Sequence, residues 1–125
     1  MLFLLGTGVG GFLGSVARYY LGVRITARWK DNFPLGTLLI NITGSLIICF
    51  LLGLSHHSFS LPPLINTAVT TGFLGAFTTF STFSYESVQL FEQGKWIIGW
   101  SYICVTLIFG LLLGWLGYQA GINIY

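Results

Sequence analysis

The sequence predicts an all-α integral membrane protein with four transmembrane helices, the third of them broken near its middle. Of its 125 residues, 54% are hydrophobic and only 6% are charged, whereas a soluble domain carries about 25% charged residues. A chain this apolar has too little polar surface to face water on all sides. Because each span needs about 20 apolar residues, the chain is expected to form a single transmembrane domain with short loops.

The same composition excludes two classes of function. The formal net charge of +2 is small, and no basic run with interleaved aromatic residues occurs, so no nucleic-acid partner is expected. No nucleophile, base and orienting group occur together, so no enzyme is expected either. The uncharged start of the chain is expected to begin a first membrane helix rather than a cleaved signal peptide.

The first predicted span, 2–21, is rich in glycine and ends close to a cation. Gly10 and Gly14 lie four residues apart on one helix face, and small residues at that spacing let two helices approach closely in lipid. Arg18 lies about one turn from the end of the span. Its side chain could extend to the lipid headgroups, or it could stand at the mouth of an anion pathway. Both roles stay open.

The second predicted span, 35–54, carries a polar face. Thr37, Asn41, Gly44 and Ser45 are spaced three and four residues apart, which places them on one face of a helix. Asn41 lies about 9 Å into the span at 1.5 Å per residue. Its amide could form an interhelical hydrogen bond or replace part of an ion's hydration shell. The polar stripe favours the second role. A turn is predicted over 55–63.

The third predicted span, 62–91, is too long and too interrupted for one plain helix. It contains Gly72, Gly75 and the run Thr78-Thr79-Phe80-Ser81-Thr82-Phe83-Ser84. Glycine and β-branched residues weaken a helix, and non-helical backbone at membrane depth persists only where protein covers it or a polar cavity adjoins it. The carbonyls that such a break exposes can hold a cation such as Na⁺, and its amides favour an anion.

Two phenylalanines follow the predicted break. Phe80 and Phe83 are three residues apart and share a helix face. An aromatic ring has a positive edge, so the pair can contact a small anion without a full charge. The nearby hydroxyls of Ser81 and Ser84 favour this role over ordinary packing. Glu86 could be a buried structural acid or lie near a pathway mouth, and the sequence does not decide.

The fourth predicted span, 96–118, begins with interfacial tryptophans and carries Tyr102 and Thr106 four residues apart on a polar face. No acidic residue is expected at mid-membrane, since all three acidic residues are assigned to loops or their vicinity. A pathway lined by amide, hydroxyl and aromatic donors suits a small anion, and a neutral lining lets the ion leave again.

Three motifs occur in a fixed order along the chain: Gly10-Gly-Phe-Leu-Gly-Ser-Val-Ala-Arg-Tyr19, Gly36-Thr-Leu-Leu-Ile-Asn-Ile-Thr-Gly-Ser45 and Gly72-Phe-Leu-Gly-Ala-Phe-Thr-Thr-Phe-Ser-Thr-Phe83. Together with four spans in 125 residues, they resemble the Fluc (CrcB) fluoride channels of microorganisms. The resemblance covers nearly the whole chain. Each motif alone is weak, but the ordered set is specific.

The resemblance implies a passive, fluoride-selective channel in the cell inner membrane that exports cytoplasmic fluoride and gives fluoride resistance. It implies an antiparallel dual-topology homodimer with two pores, surrounded by membrane lipid, with one structural Na⁺ at the centre. The implied ion pathway comprises Asn41, Phe80, Phe83, Ser81 and Tyr102, with Thr37 and Ser84 as further polar lining. Arg18 lies in the implied vestibule, and the backbone carbonyls of Gly75 and Thr78 hold the implied Na⁺.

Two other functions stay open from the residues alone. A small dual-topology transporter of the multidrug type is disfavoured by the expected absence of a mid-membrane acid, and a structural membrane subunit would conduct nothing.

The distribution of basic residues bears on the topology of the chain in the membrane. Arg24, Arg28, Lys30 and Lys95 fall on one side of a four-span arrangement, and the positive-inside rule then predicts a single orientation. The resemblance implies both orientations.

Overall fold

The computed structural model describes residues 1–56 and 61–124, and these residues are helical apart from short connections. Part of the predicted turn over 55–63 lies outside them. The elements in chain order are α1 (Leu2–Arg28), α2 (Leu35–Ser55), α3 (Pro63–Thr67), a π-helical segment (Ala68–Leu74), α4 (Gly75–Phe77), α5 (Phe80–Glu92) and α6 (Trp96–Ile122). The predicted all-α class is confirmed.

Three of these helices, α1, α2 and α6, are long and apolar enough to cross a membrane. The third pass runs from α3 to α5 and is broken. α1 continues beyond the predicted span to Arg28. At 1.5 Å per residue it is about 40 Å long, which exceeds a hydrocarbon core of about 30 Å. Its last turns therefore carry Arg24 and Arg28 toward the headgroups.

The cations gather at one end of the bundle. Lys95 Nζ, before α6, donates to Asn32 Oδ1 between α1 and α2 over 2.8 Å. We call the end of the bundle that carries Arg24, Arg28, Lys30 and Lys95 the basic end. At the opposite end, a Cβ on Gly53 of α2 would meet the carbonyl of Tyr118 in α6. α2 and α6 therefore run in the same direction, away from the basic end.

Glycines set the distance between the helices. α1 packs on the π-helical segment, and a Cβ on Gly10 or Gly14 would clash with the carbonyl oxygen of Ala68 or Phe73 respectively. The predicted close packing through Gly10 and Gly14 is confirmed. The extensive contact between α2 and α6 is built the same way, because a Cβ on Gly117 would clash with the carbonyl of Leu46.

The π-helical segment is not predicted by the sequence. Its seven residues, Ala68–Leu74, contain no residue type that specifies a π-helix, which is rare and occurs mostly as short bulges. The tertiary partner supplies the reason. Gly72 lies so close to α1 that an added Cβ would be 2.7 Å from the Thr7 carbonyl oxygen. The wide turn lets the third pass follow the glycine face of α1.

The break lies at Thr78 and Thr79. Thr78 has φ −77° and ψ 154°, and Thr79 has φ −148° and ψ 118°, so both are extended. The predicted break near the middle of the third pass is therefore present, but Gly75 itself is helical within α4. The break begins three residues later, at the two β-branched residues that separate α4 from α5.

A matched pair of glycine substitutions tests the packing of α1. Gly14→Ala should lower the free energy of unfolding by about 1–3 kcal/mol, because the new Cβ clashes with backbone that cannot move freely. Gly8 has nothing within 4 Å of an added Cβ, so Gly8→Ala should be neutral or stabilise by about 0.5–1 kcal/mol through helix propensity. Thermal unfolding in detergent measures both. Equal shifts for the two variants would contradict this packing.

Candidate functional site

One side chain holds the break in the third pass. Asn41 of α2 accepts a hydrogen bond from the Thr79 amide at its Oδ1 (2.8 Å), and its Nδ2 donates to the Thr79 carbonyl (2.9 Å). In a continuous α-helix the Thr79 N–H would donate to the carbonyl four residues earlier, that of Gly75. The amide of Asn41 therefore replaces the helical partner of an extended residue.

Thr79 also caps α5. Its Oγ1 accepts from the Thr82 amide (3.2 Å) and donates to Thr82 Oγ1 (3.0 Å), and it lies 3.3 Å from Ser81 Oγ. A threonine is a preferred N-cap because its hydroxyl satisfies an amide that lacks a helical partner. The cap fixes the start of α5 at the break, and the positive end of the α5 dipole lies there.

A groove of about 330 Å³ adjoins the break; we call it the central groove. It is lined by Asn41, Gly44, Ser45, Ile48, Leu74, Gly75, Thr78, Thr79, Phe80, Phe83, Thr106 and Leu107. Five of the residues predicted for the site, Asn41, Gly75, Thr78, Phe80 and Phe83, come together in it. None of the lining residues carries a formal charge, so the groove offers amide, hydroxyl and aromatic groups only.

The two phenylalanines differ in their surroundings. Phe80 is 79% exposed in the single chain, whereas Phe83 packs on the small core formed around Leu38, Leu90 and Tyr102. Their ring centroids are 5.9 Å apart. Phe83 is thus fixed by the helices of its own chain, and the outer side of Phe80 has no cover among the described residues.

Thr106 is a groove residue that the sequence prediction did not include in the site. Its buried Oγ1 has no hydrogen-bond partner among the described residues. A buried hydroxyl without a partner costs free energy, so Thr106 is an unsatisfied polar group at the edge of the groove. The signal in the sequence was its position four residues after Tyr102, on the same face of α6.

A second cavity, of about 610 Å³, lies on the other side of Thr79; we call it the Arg18 cleft. It is lined by Ser15, Arg18, Tyr19, Gly22, Val23, Thr26, Ala27, Pro34, Gly36, Thr37, Ile40, Thr79, Thr82 and Glu86. Arg18 and Thr37 of the predicted site lie here, separate from the phenylalanines. Thr79 lines both cavities, so the break forms the partition between them.

Glu86 is held between two helices. Its Oε1 accepts from Thr37 Oγ1 of α2 (2.9 Å), and its Oε2 accepts from the Tyr102 hydroxyl of α6 (2.8 Å). The expectation that every acid lies in or near a loop is therefore wrong for Glu86. The physical reason is that Glu86 lies halfway along α5, where Thr37 of α2 and Tyr102 of α6 reach both of its oxygens.

The remaining predicted residues stand apart from both cavities. Tyr102 is fully buried, with its ring centroid 5.2 Å from that of Phe83. Ser81 is exposed beside Thr79, and Ser84 is half-buried; neither lines the central groove or the Arg18 cleft. In the single chain, Tyr102 therefore packs against the ring of Phe83 from the core of the bundle and does not line the groove.

Residues 5–118 match the family model described as CrcB-like protein, Camphor Resistance (CrcB). The chain belongs to this family. A relative from Bacillus cereus, named fluoride-specific ion channel FluC 1, is 44% identical over 91% of this chain and 79% of its own length. FluC 2 of Geobacillus kaustophilus is 45% identical over 93% of this chain and 90% of its own length. FluC of Nitratidesulfovibrio vulgaris is 43% identical over 91% and 92% respectively.

CrcB family membership confirms the resemblance and the prediction that the chain is not an enzyme. It also gives the two cavities a context. In this CrcB family chain, an uncharged groove with a helix N-terminus at its edge can hold a small anion through partial charges alone. The cation of Arg18 and the acid of Glu86 are both kept on the far side of the break.

The Glu86 hydrogen bonds generate a stability prediction. Tyr102→Phe should lower the free energy of unfolding by about 1–3 kcal/mol, because a half-buried carboxylate loses a donor. Tyr85→Phe is the matched control: its ring is 64% exposed, so a change within about 0.5 kcal/mol is expected. Adding Thr37→Val to Tyr102→Phe should give a non-additive loss, since both donors serve one carboxylate. Additive losses would mean that the two bonds are independent.

Proposed function

We propose that the protein is a fluoride-selective passive channel that lets cytoplasmic fluoride leave the cell and so confers fluoride resistance. The observation that carries the proposal is the central groove, in which Asn41, Phe80 and Phe83 meet at the helix break. The names of the relatives supply the ion. A small, strongly hydrated anion needs hydrogen-bond donors and positive ring edges in place of water.

The polar residues outside the groove have secondary roles in this proposal. Arg18 lies in the vestibule and raises the local anion concentration before the ion reaches the uncharged lining. Ser81 and Ser84 extend the pathway along α5. Thr37 and Tyr102 contribute through Glu86, whose carboxylate they hold away from the anion route.

The proposed assembly is an antiparallel homodimer with two pores. Two features of the single chain support it. The central groove is open to the outside, and Phe80 is 79% exposed at a depth where a pathway needs a wall of protein. A second copy in the opposite orientation closes the central groove of each chain and covers the exposed Phe80 beside each break.

The proposal includes one structural Na⁺ where the two breaks cross. Asn41 takes the Thr79 amide, which frees the Gly75 carbonyl of its usual helical partner, and Thr78 is extended. Carbonyls of an unwound segment are suitable ligands for Na⁺, so the residues fit. A bound Na⁺ supplies a fixed positive charge and joins the two chains; Gly75 and Thr78 of each chain hold it.

The proposed location is the cell inner membrane. The basic end suits anionic lipid headgroups, and Trp96 and Trp100, which are 59% and 57% exposed, suit the interface between hydrocarbon and headgroups. Membrane lipid is therefore a further proposed partner around the outer faces of α1 and α6.

A proton-coupled transporter is the second candidate, because Glu86 lies inside the bundle rather than in a loop. Such a transporter needs a carboxylate that exchanges a proton. Both oxygens of Glu86 are already engaged by Thr37 and Tyr102, which suits a structural acceptor and supports the channel instead. Fluoride flux that is unaffected by a proton gradient separates the two.

Flux from reconstituted liposomes tests the proposed function. With valinomycin and a K⁺ gradient, the wild-type chain should release fluoride and retain chloride. Phe80→Ile should slow fluoride release about tenfold or more, which corresponds to losing about 1.4 kcal/mol of stabilisation for the ion in transit. Phe12→Ile, at a 68% exposed phenylalanine of α1 outside both cavities, is the control. Equal release of chloride and fluoride would refute the proposal.

Labelling of single cysteines in intact cells tests the antiparallel assembly. In a Cys49→Ala, Cys104→Ala background, Asn32→Cys marks the basic end and Asn123→Cys marks the opposite end. If the chain inserts in both orientations, about half of the chains of each variant should react with a membrane-impermeant maleimide. Complete labelling of one variant and none of the other would show a single orientation and rule out the antiparallel dimer.

A further inference from the structure

The amide of Asn41 is used in a way that an ion-lining role alone does not explain. Both its oxygen and its nitrogen are engaged by the backbone of a single residue, Thr79. We infer that Asn41 is a positioning residue: it keeps the third pass broken at Thr79 and thereby keeps the Gly75 carbonyl free to bind a cation. This inference rests on the Na⁺ site of the proposed function.

The backbone shows where the helical pattern stops. Thr78 N still donates to the Leu74 carbonyl over 3.0 Å, as in an α-helix. The next amide, that of Thr79, does not continue the pattern, because it donates to Asn41 Oδ1 over 2.8 Å. The short helix α4 therefore ends where the Thr79 amide donates to Asn41 and not to the Gly75 carbonyl. At this point Asn41 binds both the amide and the carbonyl of Thr79.

An amide side chain can satisfy both backbone polar groups of Thr79 at once. Thr79 presents one donor and one acceptor in extended backbone, and at membrane depth neither can be left to water. Asparagine offers an acceptor, Oδ1, and a donor, Nδ2, on the same carbon. Alanine offers neither, so the Thr79 N–H regains a partner most simply by returning to the Gly75 carbonyl. An ionised aspartate offers only acceptors, which keeps the amide bound and loses the bond to the carbonyl.

Asn41 also lines the central groove beside Gly75, Thr78 and Phe80. One residue therefore adjoins the anion route and controls the carbonyl that the cation needs. Substitutions at Asn41 should then separate two properties: removal of the acceptor should abolish the response to Na⁺, while a negative charge should block fluoride. A residue that only lined the groove would change the flux and leave the Na⁺ response as it was.

The experiment compares three variants of the full chain, purified in detergent and also reconstituted in liposomes. Asn41→Ala removes the acceptor, and Asn41→Asp keeps it but adds charge. Thr43→Val, at an exposed position of α2 outside both cavities, is the control. The melting temperature is measured against NaCl concentration, with N-methyl-D-glucamine chloride replacing NaCl at constant ionic strength. Fluoride release is measured in parallel.

The wild type and Thr43→Val should show a rise in melting temperature that is specific for Na⁺. Asn41→Ala should lose this rise, or need about tenfold or more Na⁺ for half the effect. Asn41→Asp should keep the Na⁺ response and lose fluoride release. A wild-type Na⁺ response in Asn41→Ala overturns the inference, as does its loss in folded Asn41→Asp. If Asn41→Ala does not fold, the aspartate variant decides.

The two proposals fail in different ways. If the wild type releases fluoride but shows no Na⁺-specific rise in melting temperature, the positioning role is wrong and the channel stands. If the wild type releases no fluoride, the channel is wrong, and the Na⁺ response of the three variants still decides whether Asn41 frees a cation site.

Discussion

The pairing of the Asn41 amide with the Thr79 backbone is the interaction on which the rest of the third pass depends. A membrane-spanning chain must satisfy every backbone polar group within the protein, and an interrupted helix violates this unless a neighbour supplies the missing partners. α2 supplies both at one point. With that cost offset, α5 can begin anew at Phe80 with Thr79 as its cap, and Phe80 and Phe83 reach the central groove.

Close approach of the helices is the second requirement. The amide of Asn41 can reach Thr79 only because α2 and the third pass lie within hydrogen-bonding distance, and a Cβ on Gly44 would clash with the Thr78 side chain. On the other side, Gly10 and Gly14 let the π-helical segment settle on α1. In lipid, where apolar burial gives little drive for helices to associate, such backbone-level packing is what holds them. The close approach that the glycines allow is thus a condition for the hydrogen bonds between Asn41 and Thr79.

The sequence was sufficient for the class of fold and for the break, because both depend on local composition. Apolar length predicts the passes, and glycine with β-branched residues weakens the helix near Thr78. The π-helical segment could not be predicted, since its wide turn depends on contact between Gly72 and α1. The position of Glu86 was missed for a related reason: its partners, Thr37 and Tyr102, lie on other helices, so only the packing of the helices shows that Glu86 lies inside the bundle.

The candidate site was predictable in part. The spacing placed Phe80 and Phe83 on one helix face, the family resemblance added Asn41 to the same pathway, and the structure brings all three to one groove. The spacing did not reveal that Arg18 and Thr37 line a different cavity, because separation by the break is a tertiary property. Nor could it show that Tyr102 is buried behind Phe83, since helical periodicity places the residue on a face without saying what covers it.

The separation of the two cavities has a consequence for the effect of dissolved salt. Ions in solution screen a charge over a Debye length of about 8 Å at physiological ionic strength, so the attraction exerted by Arg18 on an approaching anion weakens as the medium becomes more concentrated. In the proposed channel, the uncharged groove holds the anion by short contacts with amide, hydroxyl and ring-edge groups, and such contacts are hardly screened. We therefore expect salt, in the proposed channel, to change how often an anion is captured and to leave its residence near Phe80 and Phe83 almost unchanged.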